Sequence, residues 1–220
     1  MQTFTTPAPI AAILDIPAGR VQFIAADRSD TVVEVRPANA DKGRDVRTAE
    51  QTKVEYADGV LRIEAHAKNQ ILGSSGYLEV IVQLPAGSRV EAKAAAAELR
   101  GVGRLGDVVF SGAQGEIKLD EAASVRLTTS AGDVAISRLT GPAEIETAKG
   151  DIKIDEAVRG SVVARTQAGS ISVAAARGVA ASLDAGTGYG RITNDLKNDG
   201  AATLDIHATT AYGDIVARSL

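Results

Sequence analysis

The chain has 220 residues, of which 45% are hydrophobic but only 3% aromatic, and it contains no cysteine. Its formal net charge is −4, with acidic and basic residues interspersed, so it lacks the basic surface that binding to a nucleic-acid backbone requires. Without cysteine, disulfides, thiolate nucleophiles and cysteine-ligated metals are excluded.

The N-terminal residues carry no recognisable membrane-targeting signal. Residues 1–9 contain no basic segment, and the apolar run at residues 10–14 is too short for the hydrophobic region of a signal peptide. No stretch of the sequence approaches the length of a membrane span. We therefore expect a cytoplasmic protein with no membrane span.

The first part of the chain is predicted to be rich in strands. The sequence Ile-Pro-Ala-Gly-Arg-Val at residues 16–21 returns in related form at residues 84–90, and both predict a strand, a turn and a second strand. Residues 53–64 predict a hairpin, because Asp58-Gly59 suits a turn with positive φ. Residues 38–52 and 67–76 lack a strand pattern and predict loops, the first with a short helix.

The second part of the chain contains a repeat in which a glycine is followed by alternating apolar residues. The repeated glycines are Gly115, Gly132, Gly150, Gly169, Gly190 and Gly213. They lie 17, 18, 19, 21 and 23 residues apart, and about 20 residues suffice for one turn of a solenoid of short strands. Glycine suits a tight corner between two strands because its φ can be positive.

The residues around each repeated glycine fall into register. A threonine lies three residues before the glycine at Thr129, Thr147, Thr166, Thr187 and Thr210. Apolar residues alternate on both sides of the corner, which predicts two strands per repeat. The inward position two residues after the glycine is occupied by Val134, Ile152, Ile171, Ile192 and Ile215.

Stacking the repeats in parallel also places opposite charges side by side on the outward face. The expected neighbours are Arg126 with Glu144, Glu146 with Arg165, and Asp184 with His207. Such pairs support the register without driving the fold.

These patterns predict an all-β fold, a right-handed parallel β-helix or β-solenoid with a strand-rich, partly antiparallel N-terminal capping segment. We assign residues 1–92 to the cap and residues 93–220 to the solenoid repeats, within a single structural domain.

The sequence resembles a family of bacterial adhesin-like domains of unknown function, which are β-solenoids built on repeated Gly-Asp units. The resemblance rests on residues 84–90 and 99–107 and on the Thr-x-x-Gly-Asp units that begin at Thr129, Thr147 and Thr210. It covers nearly the whole chain, and it departs from the pattern at Ser170 and Arg191, where the Asp is lost. The resemblance implies adhesion without catalytic residues, although a shared fold does not establish a function.

No catalytic, metal-binding or cofactor-binding constellation emerges from the sequence, so we expect neither an enzyme nor a cofactor. The Asp column at Asp133, Asp151 and Asp214 is spaced too widely for a calcium-binding repeat, and corner hydrogen bonds explain it better. The two histidines, His66 and His207, lie apart with no nucleophile motif. The alternative is a degenerate carbohydrate-active β-helix of the pectate-lyase-like type, with acidic residues converging in a groove.

One conspicuous surface feature remains at the C-terminal repeats. Tyr189 and Tyr212 occupy equivalent positions and should stack, with Arg191 and Asp214 beside them. These four residues form the candidate interaction surface for a protein or glycan partner, whereas the alternative is that the tyrosines only stiffen the last repeats. The final residues, 218–220, have no evident cap and are expected to form an exposed edge that pairs with another copy of the chain.

Overall fold

The computed structural model describes residues 1–65, 76–198 and 200–220. The chain is mostly β, with about 70% of the described residues in strands, and it forms two compact units, Met1–Gly115 and Glu116–Leu220. The elements are β1 (Gln2–Thr5), β2 (Ala11–Ala26), β3 (Asp30–Pro37), α1 (Gly43–Gln51), β4 (Lys53–Ala57), β5 (Val60–Glu64), β6 (Leu78–Pro85), β7 (Arg89–Gln114), β8 (Ile117–Ala131), β9 (Val134–Leu139), β10 (Ala143–Lys149), β11 (Ile152–Ala157), β12 (Gly160–Ala168), β13 (Ile171–Ala175), β14 (Ala181–Tyr189), β15 (Ile192–Asp195), β16 (Leu204–Tyr212) and β17 (Ile215–Ser219).

The first unit is organised around the long strand β2. One side of β2 pairs in parallel with β5 and then with β6, and β2 also pairs in parallel with β7 along most of its length. The sequence predicted a turn within residues 16–21, and this is wrong, because the continuous pairing with β7 keeps β2 extended through Pro17. The related motif at residues 84–90 does form a turn between β6 and β7, at Gly87 with φ of 81°.

Antiparallel strands and one helix complete the first unit. The strand β3 pairs antiparallel with β1 and β6, and β4 and β5 form the predicted hairpin, with φ of 50° at Asp58 and 77° at Gly59. The short helix predicted within residues 38–52 is α1. His66 and residues 67–75 of the loop predicted at residues 67–76 lie outside the described residues.

The second unit consists of parallel strands stacked in register. We call two strands joined at a repeated glycine a rung and name the rung by that glycine. The strands before the corner stack in the order β8, β10, β12, β16, β14. The strands after the corner stack in the order β9, β11, β13, β17, β15, and the first part of β8 pairs with β9.

The predicted register is confirmed by the pairing. Arg126 is 3.0 Å from Glu144 in an ion pair, Glu146 pairs with Arg165, and Asp184 approaches His207 at 3.4 Å. The inward apolar columns are buried, as at Ile152 and Ile154.

The corner glycines are required by close contact between rungs as well as by backbone conformation. Gly150 has φ of 145° and Gly169 has φ of 155°. A Cβ atom on Gly169 would overlap the carbonyl oxygen of Gly150 in the neighbouring rung, and Gly213 is equally close to the carbonyl oxygen of Gly169. Any side chain at these corners would therefore push the rungs apart.

Two threonines of the column form hydrogen bonds to these same carbonyl groups, whereas Thr129 and Thr147 bond a carbonyl oxygen of their own strand. Thr166 Oγ1 donates to the carbonyl oxygen of Gly150 at 3.1 Å, and Thr210 Oγ1 donates to that of Gly169 at 2.9 Å. Thr166 and Thr210 are both buried, so these bonds satisfy hydroxyl groups that would otherwise be costly to bury. The threonine column of the repeat therefore has a structural role at these corners.

The last two rungs stack in the reverse of their chain order. The Gly213 rung lies between the Gly169 rung and the Gly190 rung, because β17 pairs with β13 on one side and with β15 on the other. The predicted edge at residues 218–220 is therefore misplaced, and the edge is formed by β14 and β15. Whether the chain forms a homo-oligomer stays a prediction.

The Gly190 rung keeps the predicted register, since Ile192 pairs with Ile215, but no further rung covers its inward column. Ile192 is 44% exposed and Asn194 is exposed, whereas Ile215 in the next rung is buried. The reversed order has a physical reason, because an interior position for this rung would bury the polar amide of Asn194 in an apolar column.

No helix among the residues described is long and apolar enough to cross a membrane. The predicted cytoplasmic location stays a prediction. The predicted boundary between cap and solenoid, at residues 92 and 93, also stays a prediction; both residues lie within β7.

Replacing Ile152 with Asp should reduce the free energy of unfolding by about 3–5 kcal/mol, because the change buries an unpaired charge. The matched control is Ile192→Asp, which occupies the same column on the exposed edge and should cost less than about 1 kcal/mol. Urea denaturation of the two variants and the parent chain measures both values. Equal losses in the two variants would contradict the assigned positions.

Candidate functional site

A column of side chains directly after the corner glycines joins each rung to the next. Asp133 Oδ1 accepts the backbone N–H of Asp151 at 2.9 Å, and Asp151 Oδ1 accepts that of Ser170 at 2.7 Å. Asp214 Oδ1 accepts the backbone N–H of Arg191 at 2.8 Å. These carboxylate groups therefore accept backbone N–H groups, as the sequence predicted, but the backbone belongs to the neighbouring rung and not to the local corner.

The column ends at Arg191, in the outermost rung. An aspartate there would have no further rung whose N–H group it could accept. The departure from the Gly-Asp pattern at Arg191 thus coincides with the end of the stack. Among the residues described, no carboxylate pairs with the Arg191 guanidinium.

The two tyrosines stack as expected. The ring centroids of Tyr189 and Tyr212 are 5.2 Å apart and the rings are within 3° of parallel. Both are strongly exposed, Tyr189 by 73% and Tyr212 by 61%. Because Tyr189 belongs to the outermost rung, its ring lies at the open end of the stack.

The structure brings the four predicted surface residues together at one corner. Tyr189 pairs with Tyr212 in the strand register, and Arg191 is bonded through its backbone to Asp214. Arg191 and Asp214 are both exposed. The role of this surface in binding stays a prediction.

Sequence reasoning missed Ile192 as part of this exposed region. Its position in the repeat matches that of buried residues, so the alternation alone placed it in the interior. The signal that could have revealed it is Asn194, a polar residue in the inward column two positions later.

A cleft in the first unit lies beside α1. This cleft of about 970 Å³ is lined in part by Pro17, Lys42, Asp45 and Tyr77. Asp45 is buried there, and its Oδ1 accepts the backbone N–H of Tyr77 at 2.9 Å. Its carboxylate therefore anchors the chain next to the helix.

A sequence profile of the Toastrack DUF4097 family matches residues 17–219. No curated protein matches the sequence.

Several solved structures are similar to the chain over almost its whole length. A proposed adhesin from Bacteroides fragilis has 12% identity and a TM-score of 0.49, with 98% of this chain and 95% of that chain covered. A proposed adhesin from Parabacteroides distasonis has 15% identity and a TM-score of 0.42, with the same coverage. A proposed lipid-binding protein from Parabacteroides distasonis has 13% identity and a TM-score of 0.46, with 97% and 95% covered. At these TM-scores the likenesses carry no inference about ligands.

A double-mutant cycle on Tyr189→Ser and Tyr212→Ser measures whether the stack stabilises the fold. We expect a coupling energy of about 0.5–1.5 kcal/mol, because offset aromatic pairs contribute this much beyond the area they bury. Thermal or urea unfolding of the two single variants and the double variant gives the value. A coupling energy of zero would show that the stack does not stiffen the last rungs.

Proposed function

We propose that this chain, which belongs to the Toastrack DUF4097 family, is a non-enzymatic, adhesin-like interaction module. Its binding surface consists of Tyr189, Tyr212, Arg191 and Asp214. The observation that carries the proposal is the exposed, parallel stack of two tyrosine rings on a hydrogen-bonded ladder.

The chain has few aromatic side chains, and two of them are exposed side by side. The sequence contains only four tyrosines and three phenylalanines, and Phe23 and Phe110 are fully buried in the first unit. Tyrosine combines a large apolar area with a polar hydroxyl group and loses little conformational entropy on binding, so it is enriched at the centre of interfaces. Two of the four tyrosines are exposed side by side in the second unit, which favours a binding role.

The scaffold beneath the tyrosines supports this role because it is held rigidly. We infer that the parallel ladders form a right-handed β-solenoid, since parallel strand connections within a sheet are almost always right-handed. The corners at Gly169, Gly213 and Gly190 are each fixed by a glycine contact and a threonine hydrogen bond. A partner would therefore meet a surface that is already organised, which lowers the entropic cost of binding.

The chemistry of the surface fits a protein or a glycan. The ring faces can pack against the apolar face of a sugar or against an apolar side chain, and Arg191 supplies hydrogen-bond donors. Hydrolysis by a degenerate carbohydrate-active β-helix would need two carboxylate groups facing the substrate. The corner carboxylates of Asp133, Asp151 and Asp214 instead accept backbone N–H groups, which favours binding over hydrolysis.

Replacing both Tyr189 and Tyr212 with Ser should reduce capture of the partner at least tenfold, because the change removes both aromatic faces while leaving the backbone ladder in place. Capture is measured with the full chain as bait, on a glycan array and in pull-downs from extract of the native host. The control is Tyr77→Ser, which removes a 48% exposed tyrosine from the first unit.

If the double variant captures every partner as strongly as the parent chain does, the tyrosines are not part of the binding surface. Equal losses in the double variant and in Tyr77→Ser would point to a general effect of surface tyrosines.

A further inference from the structure

The backbone of each interior rung donates two hydrogen bonds toward the next rung of the stack. The donors are the corner glycine and the residue two positions later. Gly169 donates to the Tyr212 carbonyl oxygen and Ile171 to that of Asp214, both at 2.9 Å. Gly213 and Ile215 donate in the same way to Tyr189 and Arg191. By this pattern the N–H groups of Gly190 and Ile192 point outward from the last rung, and no described residue accepts them.

The outermost corner also has an unused acceptor. In the three neighbouring rungs, the carbonyl oxygens of Gly150, Gly169 and Gly213 each accept the threonine hydroxyl of the next rung in the stack, at 2.9–3.1 Å. The equivalent carbonyl group of Gly190 receives no such hydroxyl from the residues described. The edge thus presents two N–H donors that the carbonyl groups of an extended peptide can accept, with an acceptor between them for a threonine hydroxyl of that peptide.

The side chains at this edge specify what such a peptide would carry. Arg191 stands where the interior rungs have Asp or Ser, so an acidic residue opposite it would form a cross-strand pair. Ile192 is 44% exposed and Leu183 is half-buried, so apolar residues in the inward positions would cover them. A glycine at the corner would be required, as in the other rungs, to let the two backbones approach.

We propose that the edge formed by β14, Gly190 and β15 binds an extended segment of another protein as an additional parallel rung. The segment has the form Thr-x-x-Gly-Asp followed by alternating apolar residues. The threonine hydroxyl bonds the carbonyl oxygen of Gly190, and the Asp faces Arg191. This inference rests on the proposed function, because it names the kind of partner that the module binds at and beside the Tyr189 surface.

A second copy of the chain fits this edge less well. Within the part of the second unit that the structure describes, the only strands paired on one side at this end are β14 and β15. Two copies related by a two-fold axis would bring these strands together antiparallel. The threonine and glycine contacts, which depend on parallel register, could not form between them.

A synthetic peptide with the sequence of residues 143–154, labelled with fluorescein, serves as the probe because it contains the whole motif. Titration with the full chain should raise its fluorescence anisotropy to saturation, whereas a scrambled peptide should not bind. Arg191→Glu should weaken binding at least tenfold, and the same peptide with Asp151→Lys should restore binding to that variant. An Arg191→Glu variant that binds the original peptide unchanged would overturn the proposal.

Ile192→Pro tests the backbone contact directly, because proline removes the outward N–H group and is tolerated on an edge strand. Ile192→Ala keeps that N–H group and removes most of the side chain. We expect the proline variant to lose peptide binding and the alanine variant to lose less than tenfold, with both retaining the melting temperature of the parent. Equal binding by the two variants would show that no backbone pairing occurs at this edge.

The experiment separates this inference from the proposed function. One outcome is that the peptide fails to bind while the double variant Tyr189→Ser with Tyr212→Ser still abolishes capture of a partner. That result would support the proposed interaction module and contradict the inference about the edge. Light scattering on the unmodified chain tests whether a second copy of the chain occupies the edge instead. A concentration-dependent dimer that Ile192→Pro abolishes would assign the edge to a second copy and overturn the peptide proposal.

Discussion

The second unit depends on one close contact, in which a corner glycine lies against the carbonyl group of the corner glycine in the neighbouring rung, as at Gly169, Gly213 and Gly190. The contact leaves no space for a Cβ atom, and it brings that carbonyl oxygen within reach of a threonine hydroxyl. The strands on both sides of the corner are thereby held in the same register. Every second side chain then lies above its equivalent, and the apolar columns close off the interior.

This constraint determines where the stack can end. Rungs with Asp after the glycine can hold the next rung through its backbone N–H group, and rungs with apolar residues in both inward positions can be covered. The Gly190 rung has neither property, because it carries Arg191 and Asn194. It therefore lies outermost although the Gly213 rung follows it in the chain, and the stacked tyrosines, the free donors and the exposed Ile192 are all consequences of that position.

The sequence was sufficient for the periodic part of the structure. The glycine repeat, the threonine column and the alternating apolar residues predicted parallel strands in register, and the pairs Arg126 with Glu144 and Tyr189 with Tyr212 follow from that register. The order of the last two rungs could not be deduced from the alternation, because either order makes these rungs neighbours. Residues 16–21 were misread for a different reason, since their extension depends on pairing with β7, far along the chain.

The most direct test of the stacking order uses cysteine pairs, because the chain has no cysteine of its own. Val163 lies beside His207, and His207 lies beside Asp184. Neighbouring strands are about 4.8 Å apart, within reach of a disulfide, whereas strands two positions apart are not. Under mild oxidation, Val163→Cys with His207→Cys should form an intramolecular disulfide and Val163→Cys with Asp184→Cys should not, as judged by mass spectrometry of digested monomer. The opposite result would show that the rungs stack in chain order.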